Sequence, residues 1–274
     1  MNFPSHIIDA AREMHASSRE ESRLLKAKLE EATRVENLWN EYLTFVSKGW
    51  VMHFLALVEK ESAKLKNMRM ENHPAVPAIE EAYRIAKEES ERIIRRYPAF
   101  LEEACREANV SLDSDSPHPR YTLANKFFHL EIDDRKKTAR LSDHEGRLAE
   151  LPADVDAVVE TILREHKRNF DRPFDGKKFL KRLRMQYKAI VKKQNQQDGA
   201  SIPIRHITQR LGKNVKGFRT DEFLVDLSRL AEKGPLEIDG RRLDLQQTKD
   251  TNQGMLLHGA AGRGYVGFIV FKEV

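Results

Sequence analysis

Cysteine is nearly absent from this sequence of 274 residues, and it has no long apolar run. The single thiol, Cys105, excludes a disulfide within the chain and a zinc site built from several cysteines. It lies among Leu101, Ala104 and Ala108 at helical spacing, which predicts a packed side chain rather than a reactive one. No apolar run approaches the ~20 residues of a membrane span, and residues 1–18 lack the apolar core of a secretion signal. We therefore expect a cytoplasmic protein without a membrane partner.

The sequence is also poor in patterns that indicate catalysis or a bound cofactor. It has no Gly-Lys-Ser/Thr, no His-Glu-x-x-His and no spacing that pairs a nucleophile with a base. Gly259–Gly264 is followed by a predicted strand, whereas a phosphate-binding loop needs a helix there, so we interpret it as a flexible hairpin tip. Glu131, Asp133 and Asp134 lie near two lysines, but their spacing differs from that of metal-dependent nucleases and fits a solvated turn. We predict no catalytic residue, metal, cofactor or small-molecule substrate.

Positive charge is concentrated in one part of the chain. Residues 164–219 contain 17 Lys and Arg against 4 Asp and Glu, a net charge of +13, whereas the whole chain carries +5. The remaining residues are therefore net acidic. A basic segment between acidic flanks points to a polyanionic partner. The alternative is a lysine-rich helix that is simply solvated.

Residues 1–110 are predicted to be helical and to serve assembly. Apolar residues recur at every seventh position, at Leu25, Ala32, Trp39 and Val46. This spacing is typical of a seam that packs against another helix. Pro74 and Pro77 end the run, and a shorter apolar seam follows over residues 79–93. Two seams joined by a proline turn favour an antiparallel helical hairpin or bundle. Because the first seam is longer, part of it is left for a protein partner or a second copy; the alternative is purely internal packing.

Residues 111–175 are predicted to form a linker, a β-hairpin and a helix. Serine, aspartate and two prolines over residues 111–119 mark a domain boundary. Alternating apolar residues predict strands at 127–132 and 138–141, with a third near 147–151. Asp154 is placed to cap a helix that runs to about Phe170.

Residues 176–274 alternate helices with short strands. A basic amphipathic helix is predicted from Gly176 to about Gln196, opened by Asp175. The elements predicted after it are a strand at Ser201–Ile204, helices at Arg205–Leu211 and Thr220–Lys233 with Thr220 as the cap of the second, a hairpin around Asp239-Gly240, and a closing strand at Tyr265–Lys272. The Asp-Gly corner suits a type I′ turn.

This order of elements resembles the winged-helix superfamily over roughly Phe179–Val274. The resemblance is carried by Ser201-Ile-Pro-Ile204, Arg205-His-Ile-Thr-Gln-Arg-Leu211, Phe223-Leu-Val-Asp-Leu-Ser-Arg-Leu230 and Gly267-Phe-Ile-Val-Phe271. It implies a DNA-binding domain in which the second helix of the motif enters the major groove while the wing contacts the backbone.

The second helix of the motif departs from this picture. If its leucines face the core, its exposed side carries Asp221, Glu222, Asp226, Ser228, Arg229 and Glu232. An acidic face would repel phosphates, so we expect contacts with the DNA backbone from basic residues beside this helix. The predicted nucleic-acid-binding residues are Lys177, Lys178, Lys181, Arg182, Arg184, Arg205, Arg210, Lys213, Lys216, Arg219 and Arg263.

The expected fold class is mainly α with small β elements, with an N-terminal antiparallel, coiled-coil-like region and a C-terminal winged-helix domain. The predicted function is that of a non-catalytic subunit that binds double-stranded DNA through its backbone and assembles through its N-terminal helices. One alternative is an interaction scaffold, an accessory subunit of a multiprotein DNA-handling or defence complex that does not contact DNA itself. A further alternative is an enzyme.

Overall fold

The chain forms two compact units, residues 1–95 and 96–274. The computed structural model describes residues 4–114, 116–259 and 264–274. Helices predominate in these ranges, and the strands form two small antiparallel sheets in the second unit. The mainly α class is therefore confirmed. The division between units precedes the helix Tyr97–Glu107, which the sequence placed in the N-terminal region.

The first unit is helical throughout its described length. Its helices are α1 (Ser5–Lys48), α2 (Val51–Lys60), α3 (Ser62–Met70) and α4 (Val76–Arg95). α1 ends where Gly49 adopts a φ of 67°, a conformation that glycine adopts without steric cost. Buried Phe54 and Met68 are the centre of a small core to which α4 contributes Ile79 and Ala86. The shorter apolar seam thus packs mainly against α2, rather than along α1 as a simple hairpin would require.

The apolar seam of α1 is only partly covered. Near its C-terminal end, Trp39 and Tyr42 pack against the core of the first unit. Every residue from 4 to 34 is exposed, and the side chains of Leu25 and Leu29 are 59% and 67% exposed. A single helix in water is marginally stable and gains most of its stability from tertiary packing. The N-terminal part of α1 therefore presents an apolar stripe that no described residue covers.

The second unit begins with a helix and a four-stranded sheet. Four further helices and a five-stranded sheet come after them in the described part of the chain. Its first elements are α5 (Tyr97–Glu107), β1 (Arg120–Leu123), β2 (Phe128–Asp133), β3 (Thr138–Ser142), β4 (Arg147–Pro152) and α6 (Val155–Phe170). Its later elements are α7 (Gly176–Lys193), β5 (Ile202–Pro203), α8 (Ile204–Asn214), α9 (Thr220–Lys233), β6 (Glu237–Ile238), β7 (Arg241–Thr248), β8 (Met255–Leu256) and β9 (Tyr265–Glu273).

The first sheet is an antiparallel meander in the order β1-β2-β3-β4. Phe128, Leu130 and Ile132 alternate with half-buried residues along β2, so one face of the strand lies inside the unit. The predicted strands at 127–132, 138–141 and 147–151 are confirmed within a residue. The sequence missed β1, which pairs Tyr121 with Leu130.

The second sheet has the order β5-β9-β7-β6, and β8 adds to β9. α7, α8 and α9 pack with it around buried Leu180, Tyr187, Ile207, Leu227 and Phe271.

Two local predictions for residues 176–274 concerned the hairpin corner at Asp239-Gly240 and the cap residue of α9. Asp239 and Gly240 have φ values of 54° and 67°, as the predicted type I′ corner requires. α9 begins at Thr220 with Arg219 at the cap position, so Thr220 is not the cap.

Of the helices in the described ranges, none combines the length and apolar character that a membrane span needs.

Candidate nucleic-acid interface

α7 carries cations on the side that faces away from the core. Asp175 caps this helix by accepting a hydrogen bond from the backbone N–H of Lys178 at 3.0 Å, as the sequence predicted. Leu180, Leu183 and Tyr187 are buried in the C-terminal core. The exposed side chains in its first half are Lys177, Lys178, Lys181 and Arg182. None of these four forms an ion pair within the part of the chain that the structure describes.

These four cations lie in two neighbouring rows. Lys178 and Arg182 are followed at the same spacing of four by Gln186, so the three share one face of α7. Lys177 and Lys181 belong to the adjacent row, which continues to Lys188. The ammonium group of Lys188 lies 3.2 Å from Asp239 Oδ2, so this second row faces the β6–β7 turn.

The first row meets α8. Arg210 Nε donates to Gln186 Oε1 at 2.9 Å, which fixes the guanidinium of Arg210 beside α7. Lys213 lies one helical turn further along α8, and Lys216 lies in the turn that follows the helix; both are exposed. We name this surface the basic ridge, formed by Lys178, Arg182, Arg210, Lys213 and Lys216. The structure therefore brings together five of the eleven predicted residues on one junction between two helices.

Arg184 lies inside the domain rather than on this surface. Its side chain is 3% exposed, and its Nη1 donates to Asp198 Oδ1 at 2.6 Å. The guanidinium also stacks over the ring of Phe271, with 4.8 Å to the centroid. The hydrogen bond from Arg184 lowers the pKa of Asp198. Arg184 thus stabilises the fold, and its charge is not directed at solvent.

Arg205 also has partners within the unit. Its Nη1 lies 2.9 Å from Glu145 Oε2, and its Nη2 donates to the carbonyl oxygen of Gly254 at 2.8 Å. These contacts tie the start of α8 to the β3–β4 turn and to the segment before β8. Arg205 therefore links the two sheets of the second unit.

Arg219 is at the centre of an ionic cluster between α6 and α9. Its Nη2 lies 2.8 Å from Glu165 Oε2 and 2.6 Å from Asp221 Oδ2. Asn169 donates to the same Asp221 oxygen at 3.1 Å. The hydrogen bond with Asp221 raises the pKa of Arg219. Two carboxylates therefore neutralise this guanidinium within the second unit.

Most of the polar face of α9 is covered, so the predicted exposed acidic face is wrong except at Glu232, which is exposed. Asp221, Asp226 and Ser228 are buried, with 4%, 8% and 5% of their surface exposed. Arg172 Nη2 lies 2.8 Å from Asp226 Oδ1. Arg168 of α6 pairs with Glu222 at 2.7 Å. The physical reason is that α6 and the loop after it supply cations that neutralise the acidic residues of α9.

A cleft of about 490 Å³ opens beside the basic ridge. It lies between residues 172–175, the start of α7, the turn 215–219 and the start of α9. Its aromatic lining consists of Phe174, Phe179, Phe218 and Phe223, and Lys178 and Arg182 also line it. We name it the aromatic cleft. It could not be predicted from the sequence, because its walls come from segments about 40 residues apart whose phenylalanines have the spacing of core residues.

The remaining candidates have structural partners. Glu131 pairs with Arg120 at 3.4 Å and with Arg140, and Asp133 Oδ1 accepts a hydrogen bond from the backbone N–H of Lys136 at 3.0 Å, as in an ordinary turn. Cys105 is buried, and burial raises the pKa of its thiol to about 11. Across the described ranges, no three His, Cys, Asp or Glu side chains converge in a way that could hold a metal ion. Arg263 and most of the glycine-rich stretch 259–264 lie outside the described residues.

Comparisons with protein-family models, with curated proteins and with solved structures found no match to this chain.

Proposed function

We propose that residues 96–274 bind the backbone of double-stranded DNA through the basic ridge and that the protein has no catalytic role. The observation that carries the proposal is the placement of five cations at the α7–α8 junction that form no ion pair within the described ranges, whereas carboxylates neutralise Arg184, Arg205 and Arg219. Lysine and arginine on one continuous surface bind phosphates and release counterions, whatever the base sequence.

The order of elements supports a winged-helix interpretation of residues 176–274. α7, β5, α8 and α9 are followed by the antiparallel strands β7 and β9, with β5 on the outer side of β9. In this interpretation α9 has the position of the helix that reads bases. Because α6 covers its polar face, α9 has few side chains free to enter a major groove. Backbone binding with little sequence preference fits this arrangement better than base reading.

We further propose that the exposed part of α1 serves assembly. The apolar side chains of residues 4–34, among them Leu25 and Leu29, are exposed without a described partner, and exposed apolar stripes of this kind mark protein interaction sites. A second copy of the chain is the simplest partner, because its own α1 carries the same seam and a two-fold pair would bury both.

A scaffold without DNA contact is the second candidate. The exposed seam of α1 and the covered face of α9 favour it, since both suit a protein that binds other proteins. It assigns no ligand to the basic ridge, however.

Binding of a short labelled duplex by the full chain, followed by fluorescence anisotropy, separates the two candidates. The triple variant Arg182→Ala/Lys213→Ala/Lys216→Ala is expected to lose affinity by roughly 100-fold at about 50 mM salt. A matched control, Lys87→Ala/Arg106→Ala/Lys136→Ala, removes the same charge from exposed residues outside the ridge and is expected to bind as the wild type does. No binding by the wild type would favour the scaffold, and equal losses in both variants would contradict binding through the basic ridge.

A further inference from the structure

The aromatic cleft contains a continuous row of four rings. Ring centroids are 5.9 Å apart for Phe174 and Phe179, 5.6 Å for Phe179 and Phe223, and 6.0 Å for Phe218 and Phe223. Phe179 and Phe223 are buried in the core, whereas Phe174 and Phe218 are half-buried. The two ends of the row therefore retain accessible ring surface at the mouth of the cleft.

The charges around the cleft leave a cationic mouth. Each acidic side chain in the lining already has a partner: Asp175 caps α7, Glu222 accepts from Arg168 at 2.7 Å, and Asp226 lies 2.8 Å from Arg172. Lys178 and Arg182 line the same cleft and are exposed. The aromatic rings favour a ligand with a flat, apolar face. Lys178 and Arg182 favour a ligand that also carries a negatively charged group next to that flat part.

We propose that the aromatic cleft holds an unpaired base of a DNA strand whose backbone lies on the basic ridge, an inference that rests on the proposed DNA binding. Aromatic rings stack on the face of any base, and nearby lysine and arginine contact the adjoining phosphates. The cleft volume, about 490 Å³, lies within the usual range of ligand sites. Because Lys178 and Arg182 belong both to the ridge and to the cleft, a strand that follows the ridge reaches the cleft directly.

The test compares two duplexes of the same paired sequence with the full chain. One duplex is blunt, and the other ends in a single-stranded overhang that carries 2-aminopurine, whose fluorescence falls when the base stacks. The wild type is expected to bind the overhang duplex about tenfold more tightly and to quench its fluorescence.

The variant Phe174→Leu/Phe218→Leu keeps apolar side chains in the cleft but removes both half-buried rings. It is expected to lose the tenfold preference and to bind the blunt duplex as the wild type does. Phe100→Leu, a change at a half-buried phenylalanine of α5, is the matched control and is expected to keep the preference.

The outcomes distinguish this inference from the proposed function. Equal affinity of the wild type for both duplexes, with unchanged 2-aminopurine fluorescence, overturns base binding and leaves backbone binding in place. Binding of neither duplex at about 50 mM salt contradicts the proposed function, and the inference falls with it. If the double variant does not fold, the wild-type preference and quenching still decide the question.

Discussion

The Nη2 atom of Arg219 lies 2.8 Å from the Oε2 atom of Glu165, although 54 residues separate the two in the chain. This ion pair joins the start of α9 to α6 and places the polar face of α9 inside the second unit. An arginine that the sequence assigned to DNA binding is therefore engaged within the protein. Exposed cations that form no ion pair within the described ranges lie instead on α7, on α8 and in the turn between α8 and α9.

Arg219→Ala is expected to destabilise the second unit. Removal of this guanidinium leaves buried Asp221 without a cationic partner and leaves buried Glu165 with only Arg164, whose Nε lies 3.7 Å from Glu165 Oε1. Loss of one member of such a buried pair costs about 3 kcal/mol of unfolding free energy. The control Lys216→Ala, three residues earlier at an exposed position, is expected to change it by about 0.5 kcal/mol or less. Urea unfolding of the full chain measures both values, and similar values for the two variants would contradict the structural role of Arg219.

Asp221 is expected to make stability depend on pH. Burial would raise the pKa of this carboxyl, but hydrogen bonds from Arg219 and Asn169 and the charge of Arg219 outweigh it, so the pKa is lowered. A group with a lowered pKa in the folded state stabilises the fold above its unfolded pKa of about 3.9 and loses that contribution as pH falls through the folded value.

Asp221→Asn removes this titration. We expect the variant to be about 3 kcal/mol less stable than the wild type at pH 7 and the difference to shrink below about pH 4. Urea unfolding at a series of pH values checks this. A difference that stays constant down to acid pH would show that Asp221 does not titrate as described.

The features that the sequence predicted correctly are those that local patterns determine. The 3.6-residue spacing of Leu180, Leu183 and Tyr187 defines α7, and Asp239-Gly240 defines a hairpin corner, without reference to any distant residue. The strand β1 was missed because it is four residues long and follows a segment rich in proline, where no alternation can develop.

The candidate site was harder to predict, because exposure depends on distant contacts. Arg184, Arg205 and Arg219 look like exposed cations in the sequence, yet each pairs with a carboxylate 14, 60 or 54 residues away, and Arg219 also pairs with nearby Asp221. In the same way, the acidic side of α9 is polar in the sequence but buried by a helix that precedes it by some 50 residues. Periodicity identifies which residues share a face but not which other element covers that face.

Self-association through α1 is expected to depend on its exposed seam. Leu25→Glu/Leu29→Glu places two carboxylates in that stripe, where pairing of two helices would bury them without partners, so association is expected to be lost. The control Ala27→Glu/Arg34→Glu alters the opposite face of the same exposed stretch and is expected to leave association unchanged. Sedimentation of the full chain measures the mass of each species. A wild type that stays monomeric at high concentration would refute assembly with a second copy.

The salt dependence of DNA binding is the sharpest test of the basic ridge, because it counts the phosphates that the protein neutralises. Five contacts from the basic ridge predict a slope of about −4.5 for the logarithm of the association constant against the logarithm of salt concentration. Arg182→Ala/Lys213→Ala/Lys216→Ala should reduce this slope to about −2, whereas Lys87→Ala/Arg106→Ala/Lys136→Ala should leave it unchanged. A wild-type slope near zero, or a slope that the ridge variant does not alter, would contradict DNA binding through the α7–α8 junction.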